Sequence, residues 1–317
     1  MANPARAFLL YALNLQMVAK LIRFIFFGNY FIGLLAIALT IEATLQLRVP
    51  FNSVTYYILI FCAPVVYYTY AYMGATRYTR SSNPRVAWFI KHQQFLRWSQ
   101  RILSCIACCA FLSLFIQNVG SILHLPWIYW AGVIFILLVA FLYYGLLPSY
   151  FFNLNLRNTG WLKPFIIGFI WACTANVIPL MLLKIESGIE FPISEFWLWL
   201  FVKNWMFCTV NAIMFDIKDY EIDANKELKT FVVQFGIHKT IFFILLPLLI
   251  IGMFSLLAFT SYEHIPVKQM LLNFIPFALT LLIAFSLNLK KPILYYLVVI
   301  DGLILFKASC GIAAALL

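Results

Sequence analysis

Glu195-Phe-Trp-Leu-Trp-Leu-Phe-Val-Lys203-Asn-Trp-Met-Phe-Cys-Thr-Val-Asn-Ala-Ile-Met-Phe215 runs without interruption into Asp216-Ile-Lys-Asp219-Tyr-Glu-Ile-Asp223. The first part is long and apolar enough to cross a bilayer as a helix, which takes about 20 residues. The second part concentrates acid in a chain that is otherwise nearly devoid of it. Of eleven Asp and Glu residues, five (Asp216, Asp219, Glu221, Asp223 and Glu227) fall within twelve consecutive positions. The i, i+3, i+7 spacing sets Asp216, Asp219 and Asp223 along one helix face. Carboxylates so placed repel one another unless a cation lies between them. The face reads as a cation site, weighed against an acidic helix end neutralised by Lys218, Lys226 and Lys229.

Working outward, the same apolar character recurs along the chain. Hydrophobic residues make up 64% of the 317 positions and charged residues 10%, which excludes an ordinary soluble domain. Nine apolar runs read as membrane helices: 24–44, 54–73, 102–117, 128–147, 164–183, 195–215, 240–259, 270–288 and 293–316. The expectation is one integral domain, 1–317, all-α, with nine transmembrane helices around a central cavity open to the cytoplasm.

The net charge of +11 does not point to nucleic acid, because of where the bases stand. With the N-terminus inside, seventeen Lys and Arg residues fall in cytoplasmic segments and only Arg48, Lys184 and Lys268 fall outside. That asymmetry sets the orientation by the positive-inside rule, with the C-terminus outside. The expected setting is a bacterial inner membrane. No signal-peptide pattern is read in residues 1–20, and no lipidation motif at either end. The seven cysteines lie mostly within spans and form no disulfide framework. Cys105 and Cys108 have a C-x-x-C spacing with no accompanying histidine or second pair, and read as helix packing. Four scattered histidines make no ligand spacing, and only His92 stands near the arginines discussed below. The abundant aromatic residues suit lipid contact and interfaces as well as any carbocation, so none is singled out.

Asp216-x-x-Asp219-x-x-x-Asp223, followed by Lys229-Thr230-Phe231-Val232-Val233-x-Phe235-Gly236, resembles the second signature of the UbiA-type intramembrane prenyltransferases. Tyr150, Arg157 and Lys163, then Trp171 and Pro179, resemble that family's link between the fourth and fifth helices. Leu21-Ile22-Arg23 with Asn29 is a weaker echo at the first span. The resemblance covers about residues 20–316. It implies transfer of a prenyl group from an allylic prenyl diphosphate to a small lipophilic acceptor, aromatic or lipid, within the bilayer. It also implies Mg2+ held by Asp216, Asp219 and Asp223, and diphosphate contacts from Arg157 and Lys163, with Lys218 a further candidate. Neither a nucleic acid nor a protein partner is implied.

One departure stands out. The family's first signature carries two aspartates at the cytoplasmic end of the second helix, where this chain has Tyr72-Met-Gly-Ala-Thr-Arg77-Tyr-Thr-Arg80-Ser-Ser-Asn83-Pro-Arg85. The only acid before residue 186 is Glu42. Arg77, Arg80 or Arg85 is expected to take over part of the diphosphate contact, since guanidinium binds phosphate oxygens through a two-pronged fork. The other reading is a divergent relative that binds an isoprenoid or phosphorylated lipid without transferring it. Glu42, Lys203, Asp301 and Lys307 lie inside spans, where ionisable groups are costly. Lys203 is read as reaching toward the interface.

The orientation is testable with reporter fusions. Fusions after residues 120, 188 and 264 should report the outer side, and those after 90, 158 and 228 the cytoplasm. A cytoplasmic signal at residue 188 would contradict the assignment.

Overall fold

In the computed structural model the described residues are 4–76, 83–144, 160–190, 194–225 and 228–317, and among them every regular element is a helix. In chain order these are α1 (Pro4–Phe27), α2 (Tyr30–Gln46), α3 (Val54–Thr76), α4 (Pro84–Lys91), α5 (Gln93–Gln117), α6 (Val119–Leu123) and α7 (Trp127–Tyr144). The second half comprises α8 (Lys163–Asn176), α9 (Ile178–Ser187), α10 (Glu195–Asn225), α11 (Phe231–Thr240), α12 (Leu246–Tyr262) and α13 (Val267–Ser286). A short α14 (Ile293–Tyr295) then leads through a π-helical turn into α15 (Asp301–Leu316).

Among the described residues, seven helical segments are long and apolar enough to cross a membrane, or eight if a bent pair counts as one span. The chain is therefore an all-helical, multi-pass membrane protein. Large apolar side chains left outside the packed core, such as Ile134, Phe243, Ile251, Phe254 and Leu282, match a lipid-facing surface. The short third run of the sequence belongs to a longer helix, because α5 begins at Gln93 and its polar first turns precede the apolar part. The run at 128–147 appears as α7, whose described apolar portion, Trp127–Val139, is shorter than a full span.

The run at 24–44 is broken. Helices α1 and α2 meet at 69°, and Asn29 between them adopts φ 64, in the left-handed region. Asparagine tolerates that region better than most residues with a Cβ. A break exposes carbonyls that lipid cannot satisfy. Here Arg85 of α4 donates to Phe27 O at 3.2 Å, and Thr69 of α3 donates to Gly28 O at 3.3 Å. The Asn29 side chain bridges the same two partners, accepting from Arg85 at 2.6 Å and donating to Thr69 Oγ1 at 3.1 Å. Asn29 and Arg85 are thus the clasp of a helix break.

Two close approaches set the site. Gly168 of α8 lies so near α10 that a Cβ there would meet Thr209 N and Trp205 O at 2.8 Å. Trp205 Nε1 also donates to Phe165 O at 2.8 Å. Between α15 and α2, a Cβ on Gly311 would collide with Glu42 and meet Gln46 Nε2 at 2.6 Å. Small residues let membrane helices approach through backbone contact where water exclusion gives no drive.

Candidate functional site

Helix α10 continues for two turns beyond its apolar part, so Asp216, Asp219 and Asp223 lie on one continuous helix. Asp216 and Asp223 are buried, at 2% and 6% exposure. The α8–α10 contact aims Lys163, the first residue of α8, at both. Its Nζ lies 2.7 Å from Asp216 Oδ1 and 3.8 Å from Asp223 Oδ2. Asp216 Oδ2 is buried with no hydrogen-bond partner among the described residues. That oxygen still has acceptor capacity, and it borders the cation that already joins the two carboxylates.

A second contact ties the two sequence regions together. A Cβ on Gly160, ahead of α8, would meet the backbone of Lys229 and Thr230 at 2.5 Å. Thr230 is fully buried and caps α11, its Oγ1 accepting from Val233 N at 3.3 Å. Leu228 N donates back to Asp223 O at 3.0 Å. The Lys229-Thr230 stretch therefore packs directly on the lead-in to Lys163, an arrangement that spacing alone does not convey.

Asp219 has a different neighbourhood. It pairs with Lys218 at 3.3 Å and lies within electrostatic range of Arg85 and Tyr72. Arg85 is buried, with its guanidinium carbon 4.3 Å from the Tyr72 ring centroid, a cation–π distance. Burial pushes the Arg85 pKa down from its ordinary value, and Tyr72, Asp301 and Asp219 push it back up. Arg85 therefore lies within electrostatic range of Asp219 of α10. Its Nη2 donates to Phe27 and Asn29, while its buried Nε has no hydrogen-bond partner among the described residues. Glu221 is exposed and pairs with Lys290 at 2.7 Å.

Of the expected diphosphate contacts, Lys163 and Lys218 are brought to the carboxylates. Arg77, Arg80 and Arg157 lie outside the described residues, as does Tyr150. Among the described residues no three His, Cys, Asp or Glu side chains converge as a metal cage. Asp216 and Asp223 fit the sparser arrangement magnesium accepts, with one or two carboxylates and the remaining positions filled by phosphate and water.

Two of the ionisable residues inside spans stand where the sequence reading did not place them. Asp301, at the start of α15, is buried and lies in electrostatic range of Arg85 and Lys218, which adds an acid to this end of the bundle. Lys203 does not reach toward the interface. It is 5% exposed and joins Glu42 and Lys307 in one buried network. The signal was Glu42, a lone acid in an apolar run, which membrane interiors tolerate only when paired. A search of protein-family models, curated proteins and solved structures finds no match to this chain.

Replacing Lys163 with Met should remove the ammonium that bridges Asp216 and Asp223. Removing one partner of a buried pair costs about 3–5 kcal/mol, and Lys163, being 20% exposed, should fall at or below the low end. Thermal unfolding in nanodiscs should show Lys163→Met destabilised and the Lys163→Met, Asp216→Asn double variant partly restored. Additive losses would show that the pair is not coupled.

Proposed function

We propose that this chain is a divergent UbiA-type prenyltransferase, with nine helices around a cavity open to the cytoplasm, that transfers a prenyl group from an allylic diphosphate to a lipophilic acceptor. The observation that carries the reading is the convergence of Lys163 on Asp216 and Asp223, with Asp216 Oδ2 left without a hydrogen-bond partner among the described residues. The packing of Gly160 on Lys229 and Thr230 supports it, since it joins both stretches on which the resemblance rests.

In this reading Asp216 and Asp223 hold magnesium, and Asp219 is a further ligand one turn along the same helix. When bound, the magnesium supplies positive charge to the leaving diphosphate. Lys163 shifts from its carboxylate partners toward the diphosphate oxygens, and Lys218 does the same from Asp219. Both ammoniums already stand beside the carboxylates, so their positive charge is close by as negative charge develops on the leaving group. Arg85, whose Nη2 is held by the helix break, contributes its field to the site. The direct guanidinium contacts fall to Arg77, Arg80 and Arg157. The apolar interior of the bundle keeps water from the allylic cation.

A second reading, a protein that binds an isoprenoid or phosphorylated lipid without turnover, is favoured by one fact. Residues 72–85 contain no carboxylate where the family carries its first aspartate pair. A magnesium-dependent assay of diphosphate release over a panel of prenyl diphosphates separates the two. Transfer activity should appear and be abolished, by about 100-fold or more, in Asp216→Asn and Asp219→Asn, the scale of losing a key electrostatic group. Binding of a prenyl diphosphate without release would favour the second reading. Wild-type turnover in both variants would remove the metal assignment.

A further inference from the structure

The opposite end of the bundle carries a second set of charges that the transferase reading leaves unused. Lys203 stands thirteen residues before Asp216 on α10, roughly 20 Å along the helix axis. Glu42 Oε2 accepts from Lys307 Nζ at 2.6 Å, and Glu42 Oε1 lies 3.6 Å from Lys203 Nζ. Lys307 also donates to Asn204 Oδ1. Lys203 donates to Gln46 Oε1 at 3.3 Å and to Asn273 Oδ1 at 3.2 Å, and sits 5.0 Å from the Trp199 ring centroid. All three ionisable side chains are at most 3% exposed. Two ammoniums thus share one carboxylate, and among the described residues neither lysine has another acidic partner within ion-pair distance.

Two buried lysines with one carboxylate between them lack a second counter-ion, and such an arrangement is expensive at this depth. Lys203 also lies just behind the wall of a cavity. A cavity of about 550 Å³ opens between α2, α10, α12, α13 and the end of α15, and Gln46, Trp199 and Asn273 form part of its lining. These side chains contact the Lys203 amine, so two carboxamides and an indole lie between it and the cavity. Leu45, Phe196 and Leu256 supply apolar wall on the same cavity, while Arg48, Glu263 and His264 stand at its polar side.

We propose that this cavity binds an organic monocarboxylate, with its head group against Lys203 and its apolar part along Leu45, Phe196 and Leu256. The charge sets the class. A monoanion would give the second lysine the counter-ion that Glu42 cannot supply to both, whereas a phosphate dianion would bring one negative charge too many. The carboxamides permit entry, because a carboxylate that displaces Asn273 Oδ1 takes over the Lys203 donor it occupies. Asn273 Nδ2 already donates to Gln269 O, and its second N–H is left to donate to the incoming carboxylate. The apolar wall selects an anion with a hydrocarbon body over a hydrated inorganic one. This proposal is independent of the prenyl-transfer reading, as it shares no residue with that site.

The full chain in nanodiscs, titrated with radiolabelled octanoate and corrected with empty nanodiscs, tests it. Saturable binding should appear, with unlabelled octanoate competing and octanol or octyltrimethylammonium failing to do so. Lys203→Met leaves Lys307 and Glu42 as a one-to-one pair, so it should keep or raise the unfolding temperature while weakening octanoate by about tenfold or more. Asn273→Leu, which removes a lining amide but no charge, should weaken it by a similar factor and decides the matter should Lys203→Met not fold. Absence of saturable binding overturns the proposal. So does equal competition by octanol, or an affinity within twofold of the unsubstituted protein in the folded variants.

Discussion

Charge that cannot reach water must be met by charge inside the bundle, and α10 is organised around that constraint. The helix carries Lys203 in its first half and Asp216 with Asp223 in its second. Each is answered from a different helix: Glu42 of α2 meets Lys203, and Lys163 of α8 meets the two aspartates. Removing Glu42 or Lys163 takes away the counter-charge that α10 meets from a neighbouring helix, so the ion pairs specify which helices are neighbours of α10. The close approaches at Gly168 and Gly311 depend on the same arrangement. They bring backbones near enough for short ion pairs to form, in a medium where apolar burial gives little preference between partners.

The two ends of α10 are unequal in their charge balance, and the inequality is what gives them different chemistry. Around Asp216 the described ionisable groups are mixed, with Lys163, Lys218 and Arg85 near Asp216, Asp219, Asp223 and Asp301. Such a mixture suits a ligand that arrives with its own cation, as magnesium diphosphate does. At the Lys203 end the tally is one carboxylate for two lysines, which suits a simple monoanion. The break at Asn29 belongs to the same economy of polar groups. Arg85 satisfies the freed carbonyl of Phe27 and in doing so is held near Asp219 and Asp301, so a structural clasp also shapes the field of the site.

Much of this was legible in the sequence, because composition and periodicity act locally. The apolar runs mark the helices, and the Asp216, Asp219, Asp223 spacing marks a helix face whether or not its neighbours are known. Partners across helices were not legible. Nothing in the run from Leu21 to Gln46 announces a 69° bend, since asparagine in an apolar segment reads equally well as a buried packing residue. Lys203 was misread for a related reason. A lysine near a helix end can extend to the interface or turn inward to a carboxylate, and the carboxylate that decides the matter lies 161 positions away, at Glu42. The third span was misjudged in length because its first turns, Gln93-Gln-Phe-Leu-Arg97, are polar and were counted as loop.

The central claim is that the Asp216–Asp223 face takes a divalent cation together with diphosphate. Manganese, a paramagnetic substitute for magnesium, makes that visible without turnover. Electron paramagnetic resonance of the protein in nanodiscs should show Mn2+ bound when inorganic pyrophosphate is present, little bound without it, and none bound in Asp216→Asn. Equal Mn2+ binding in the folded Asp216→Asn variant, or no binding with pyrophosphate present, would contradict the account.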